Sequence, residues 1–72
     1  MSVSVTAWRL RRADCERAEC LVFERDGRWH LTVAEGKDIT IAERCASDDA
    51  ALARANEIWE VLIEQGWTEP RH

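Results

Sequence analysis

Three cysteines and one internal histidine are the residues of this chain best suited to metal binding or nucleophilic chemistry, and their spacing favours neither. Cys15, Cys20, His30 and Cys45 can be written as a three-cysteine, one-histidine zinc set, but successive separations are five, ten and fifteen positions. Structural zinc sites usually bring ligands in close pairs, about two to four residues apart on a turn, and Cys20 falls inside an expected strand. A thiolate–imidazole pair from Cys15 or Cys45 with His30 would lack a third group placed to orient the base. The remaining histidine is His72, and the chain holds no nucleophile motif, phosphate loop, HxxxH or paired-carboxylate pattern. The expectation is a non-enzymatic protein without metal or cofactor, its thiols reduced, because an odd cysteine count without a secretion signal argues against a disulfide framework.

The chemistry that remains is electrostatic. Residues 1–36 hold six Lys/Arg and six Asp/Glu, whereas residues 37–72 hold four and eight, so the whole net charge of −4 falls in the second half. Asp49, Glu57, Glu60 and Glu64 recur at helical spacing with Ala53 among them, and Arg54 alone stands near enough to compensate, toward Glu57. In the first half Arg9, Arg11, Arg28 and His30 alternate with apolar residues, and Arg44 continues that pattern beyond it.

Placing those charges requires the elements that carry them. Residues Val3 to Arg12 are β-rich, with Trp8 and Leu10 on one face and Arg9 and Arg11 on the other. Val3 and Val5 fall on the wrong parity, which a bulge near Thr6 or Ala7 would repair. A second strand over Glu19 to Arg25 and a third over Arg28 to Ala34 flank Asp26-Gly27, a strong hairpin signal. A two-residue turn there would pair Val22 with Leu31 and leave Phe23 and Leu21 facing His30 and Thr32. A three-residue loop, Arg25-Asp26-Gly27, would pair Phe23 with Trp29, Leu21 with Leu31 and Glu24 with Arg28. The second register is expected, because it gathers the apolar groups on one face and sets opposite charges across the other. A fourth strand over Ile39 to Arg44 would then oppose Val33 with Ile39 and Leu31 with Ile41.

Ser47 is an N-cap candidate followed by Asp48 and Asp49, and a helical pattern runs to Gln65 before a C-cap glycine, Gly66. Trp67 is placed to fold back on the last turn, and Pro70 stops continuation. Ala51, Leu52, Ala55, Ile58, Trp59 and Leu62 share the face that packs on the sheet, with Val61 and Ile63 at its margins. The fold class is α+β: an antiparallel meander of three or four strands packed by one C-terminal helix.

With 72 residues, 46% of them hydrophobic, the chain is read as a single domain with no linker or repeat. A chain of this size buries only about 60% of the surface its unfolded form exposes. Its four tryptophans, Trp8, Trp29, Trp59 and Trp67, are therefore core candidates first. No apolar stretch spans a membrane, and the N-terminus has its apolar part before its arginines, opposite to a signal peptide, so a cytoplasmic location is expected.

Two functions are ranked. The first is a small protein-interaction module whose acidic helix face (Asp49, Glu57, Glu60, Glu64) occupies a basic, nucleic-acid-binding surface on another protein, as an anti-CRISPR-type inhibitor from a phage or plasmid would. A homodimer through edge strands or the Val61 and Ile63 margins is its variant. The second is nucleic-acid binding through the outer sheet face, with Arg9, Arg11, Arg28, His30 and Arg44 among Thr32, Thr40 and Glu24. It ranks lower because the chain is acidic overall, with pI near 5.1, and because the expected register leaves that face without an aromatic on which a base could stack.

Overall fold

A computed structural model describes residues 4–13 and 16–69. Val3, Cys15, Pro70 and His72 lie outside the described residues. Strands β1 (Ser4–Arg11), β2 (Arg17–Arg25), β3 (Arg28–Glu35) and β4 (Asp38–Cys45) form one antiparallel sheet in chain order, and helix α1 (Asp48–Glu64) crosses one of its faces. The α+β meander-plus-helix architecture is thus as expected, with all four strands present.

In β1 the register slips between Thr6 and Trp8. This bulge lets Val5 oppose Val22 on the helix side of the sheet while Trp8 and Leu10 stay on that side. Arg9 and Arg11 point to the other.

The β2–β3 register corrects the expected one. Asp26 (φ 54°) and Gly27 (φ 75°) form a two-residue turn with both central residues in the left-handed region, the geometry whose twist matches a hairpin. Arg25 therefore opposes Arg28, Phe23 opposes His30, Val22 opposes Leu31 and Leu21 opposes Thr32. The inward set of β3, Trp29, Leu31 and Val33, is the one expected; it is β2 that is turned over. The three-residue loop would have buried Glu19 and exposed Ala18 and Cys20, whereas the actual register buries Ala18, Cys20 and Val22 to 2% exposure or less. These smaller side chains let the helix approach the sheet, and Phe23 and Leu21 turn to the open face.

The β3–β4 pairing also differs from expectation. An irregularity at Thr40, whose hydroxyl donates to the Val33 carbonyl (3.3 Å), sets Val33 opposite Ile41, Ala34 opposite Ile39 and Leu31 opposite Glu43. Ile41 then packs on the core, and Ile39 stands 67% exposed on the far side.

Ser47 caps α1 in extended conformation, its hydroxyl accepting from the Ala50 N–H (3.1 Å), with Asp48 and Asp49 in the first turn where negative charge suits the helix dipole. At the other end Gly66 takes φ 98°. Its N–H reaches the Ile63 carbonyl, and the Trp67 N–H reaches Leu62 (3.0 Å), a Schellman closure. The turn delivers Trp67 into the core at 1% exposure. Thr68 then exchanges two backbone bonds with Arg11 (2.7 and 2.8 Å), tying the tail to the edge of β1.

The core is Leu10, Ala18, Cys20, Val22, Leu31, Val33, Ala51, Ala55, Ile58, Leu62 and Trp67. Trp8, Trp29 and Trp59 are partly buried against it, and the Trp8 indole donates to the Ala55 carbonyl (2.8 Å), pinning β1 to α1. Leu52, expected to pack on the sheet, is instead 48% exposed, Val61 is 51% exposed, and Ile63 packs on the core. No helix among the described residues is long and apolar enough to cross a membrane.

Candidate functional site

Strand alternation on the corrected register determines what the open face of the sheet carries. Row by row across the strands, it presents Arg25 and Arg28; Phe23, His30 and Arg44; Thr6, Leu21, Thr32 and Ala42; Arg9, Glu19, Ala34 and Ile39; and Arg11 with Arg17. The residues expected there, Arg9, Arg11, Arg28, His30 and Arg44, are all present on it. Glu24, expected among them, opposes Trp29 on the helix side. Leu21 and Phe23 are additions that the other register would have turned inward, and Arg17 and Arg25, expected at the connections of the strand, join them because β2 runs Arg17–Arg25.

Six arginines thus share a face with one carboxylate. Glu19 takes Arg9, Oε2 accepting from Nε at 2.8 Å. The other five form no ion pair among the described residues. Four of them stand in two directly opposed cross-strand pairs, Arg11 with Arg17 and Arg25 with Arg28. Like charges directly opposite on a strand pair oppose folding. Their presence twice on one face marks a field that an anion would relieve.

Between these two arginine clusters lies an apolar and aromatic floor. The Phe23 and His30 rings stack at 5.2 Å between centroids with planes 19° apart, and the Arg25 guanidinium stands 5.8 Å from the Phe23 ring. Both rings are partly exposed, as are Leu21 and Thr32.

The opposite pole of the molecule is acidic. Asp49, Glu57, Glu60 and Glu64 all lie exposed on α1. Arg54 bridges them to the sheet: its guanidinium donates to both Glu43 oxygens (3.0 and 3.1 Å) and to Glu57 (3.1 Å). These bonds hold the Glu43 carboxyl below its usual range. Glu57 is therefore occupied within the chain, and Asp49, Glu60 and Glu64 form no ion pair among the described residues.

The sheet itself separates the residues considered for metal or nucleophilic chemistry. Cys20 and Cys45 face the helix, and His30 faces away. Burial pushes the Cys20 thiol up to about 11, with Cys45 adding to the rise, and burial raises Cys45 as well. Neither is an activated thiol. Cys15 lies outside the described residues.

Sequence reasoning missed Phe23 and Leu21 as surface residues. The signal for them was the Asp-Gly dipeptide itself, which favours the two-residue turn that turns them out. No protein-family model matches the chain, and neither a curated protein nor a solved structure shows significant similarity to it.

Proposed function

We propose that the protein is a nucleic-acid-binding module that works through the open face of its sheet. The observation that carries this reading is the joint presence there of five arginines outside any ion pair of the described residues and the stacked Phe23–His30 pair. The aromatic whose absence counted against the reading stands on the basic face, one row in from the Arg25–Arg28 pair.

The net charge of −4 does not weigh against it, because the acids concentrate on the far side. At physiological salt the Debye length is about 8 Å, so a phosphate docked on the sheet is governed by the near arginines. The same argument disfavours two copies meeting sheet to sheet, since each brings the same excess of positive charge.

The test is a footprint in solution. On titration with a labelled oligonucleotide at low salt, amide and side-chain NMR shifts should move at Leu21, Phe23, His30, Thr32 and Arg44 and leave α1 unmoved. Shifts confined to α1, or no binding at low salt, would overturn the reading.

A second reading rests on the other pole. The exposed carboxylates of Asp49, Glu60 and Glu64 could complement a basic surface on a protein partner. It predicts that reversal of Glu57, Glu60 and Glu64 to lysine abolishes capture of such a partner, while substitutions of the sheet arginines leave capture intact.

A further inference from the structure

The sheet face narrows the class of nucleic acid, an inference that rests on the proposed function and goes one step beyond it. A double helix offers a protein its phosphates and the base edges at the floor of its grooves. Its major groove is about 12 Å wide and admits one helix or a two-stranded ribbon. Four strands at about 4.8 Å spacing put the outer two roughly 14 Å apart before any side chain is added, so the full face of this sheet does not fit an undeformed major groove. Laid against the outside of a duplex, it would bring Leu21, Phe23, Ala34 and Ala42 against phosphates, where apolar surface gains nothing.

A single strand reverses that balance. Its unstacked bases present flat apolar faces, and an aromatic ring on an open sheet is a stacking platform for them. Phe23 and His30 stack on one another, so each ring already has a neighbour on one face, and both remain partly exposed to take a base as a further layer. Arg25, Arg28 and Arg44 surround them at one end of the face, while Arg11 and Arg17 stand at the other. From Arg25 to Arg17 along β2 is eight residues, roughly 26 Å at about 3.3 Å per residue. At the duplex rise of about 3.4 Å per nucleotide that span sets an upper bound of roughly eight nucleotides, and a more extended, unstacked strand covers it with fewer, within the range of about 4–16 found for one small β-barrel domain.

We propose that the protein binds single-stranded nucleic acid, up to about eight nucleotides at a time, with a base added to the Phe23–His30 stack and the backbone held between the two arginine clusters. The alternative occupant of stated chemistry is an acidic polypeptide, which would use the arginines and have no need of the ring.

The experiment is a fluorescence-anisotropy titration of the full chain with a labelled oligo(dT) of about eight nucleotides, its matched duplex, and poly-glutamate as competitor. The single strand should bind more tightly than the duplex. Phe23→Ala should weaken single-strand binding by roughly 5- to 150-fold, the worth of one stacked base, and leave duplex binding unchanged. Phe23→Trp should restore it and so rule out a merely structural loss. Equal affinity for strand and duplex with Phe23→Ala silent would overturn this inference while leaving the proposed function standing. Poly-glutamate competing at equal charge, again with Phe23→Ala silent, would transfer the face to acidic protein. No binding of either nucleic acid at low salt would remove the proposed function itself.

Discussion

Removing three of the arginines should change how binding responds to salt by an amount the structure sets in advance. Each phosphate neutralised on a single strand releases about 0.7 of a counterion, so the slope of log affinity against log salt is roughly −0.7 times the number of contacts. The open face offers Arg11, Arg17, Arg25, Arg28 and Arg44, with Arg9 already held by Glu19. Five contacts give a slope near −3.5, a loss of roughly 130-fold between about 50 and 200 mM salt. The triple variant Arg25→Ala, Arg28→Ala, Arg44→Ala keeps two of them. Its slope should fall to about −1.4 and its loss over the same interval to roughly 7-fold. All three side chains are exposed, and removing the opposed Arg25–Arg28 pair relieves a repulsion, so the thermal midpoint should hold or rise slightly. Arg54→Ala, on the helix, should leave the slope alone. The assay is anisotropy at four or five salt concentrations, with circular dichroism as the folding check. A triple variant that keeps the parental slope would show that these arginines do not meet phosphate, and the assignment of the face would fail with it.

The remaining expectations concern the scaffold and the second pole. Trp67→Ala should cost about 3–5 kcal/mol in urea unfolding. Trp67→Phe should cost much less, because the buried indole N–H has no acceptor among the described residues and no hydrogen bond is lost. The Cys20 thiol ionises at about 11 in the folded protein against an ordinary 9.0. Its contribution is therefore fully present below pH 9 and is lost as pH rises toward 11. The chain has no tyrosine, so the urea midpoint should fall over that window and Cys20→Ala should flatten the fall. In native protein at pH 8, Cys45 should react with a thiol reagent and Cys20 only after unfolding. Reversing Glu57, Glu60 and Glu64 to lysine should tighten nucleic-acid binding at low salt and lose that gain near physiological salt, so that the salt slope steepens slightly, and unchanged affinity at every salt concentration would contradict the polarity assigned to the molecule.

What the sequence made legible was local. The Ser47 cap, the Gly66 closure that returns Trp67 to the core, and the β1 bulge each followed from a few neighbouring residues with one dominant preference. The β2 face was not legible, because two signals disagreed. Hydrophobic pattern asked for Phe23 and Leu21 inside, whereas Asp26-Gly27 asked for a two-residue turn. The turn prevailed, since it costs no extra chain and brings Ala18 and Cys20, rather than Glu19, beneath the helix. The consequence ran directly to function: the same side chains that looked like core became the floor of the candidate site. On the helix the acidic positions were legible, but the bond from Arg54 to Glu43 spans strand and helix and had no signature in local spacing.

The separation of charge between sheet and helix bears on what a coated strand would look like from outside. A wholly basic protein neutralises the polymer it covers, and a neutralised polymer collapses and clumps. A copy held on a strand by its arginines would turn α1 outward, and its net −4, in which those arginines are already counted, would add to the full charge of the phosphates. Successive copies would clothe the strand in a sheath of carboxylates, keep it extended, repel a second strand, and leave a fresh anionic surface readable by any basic protein that meets it.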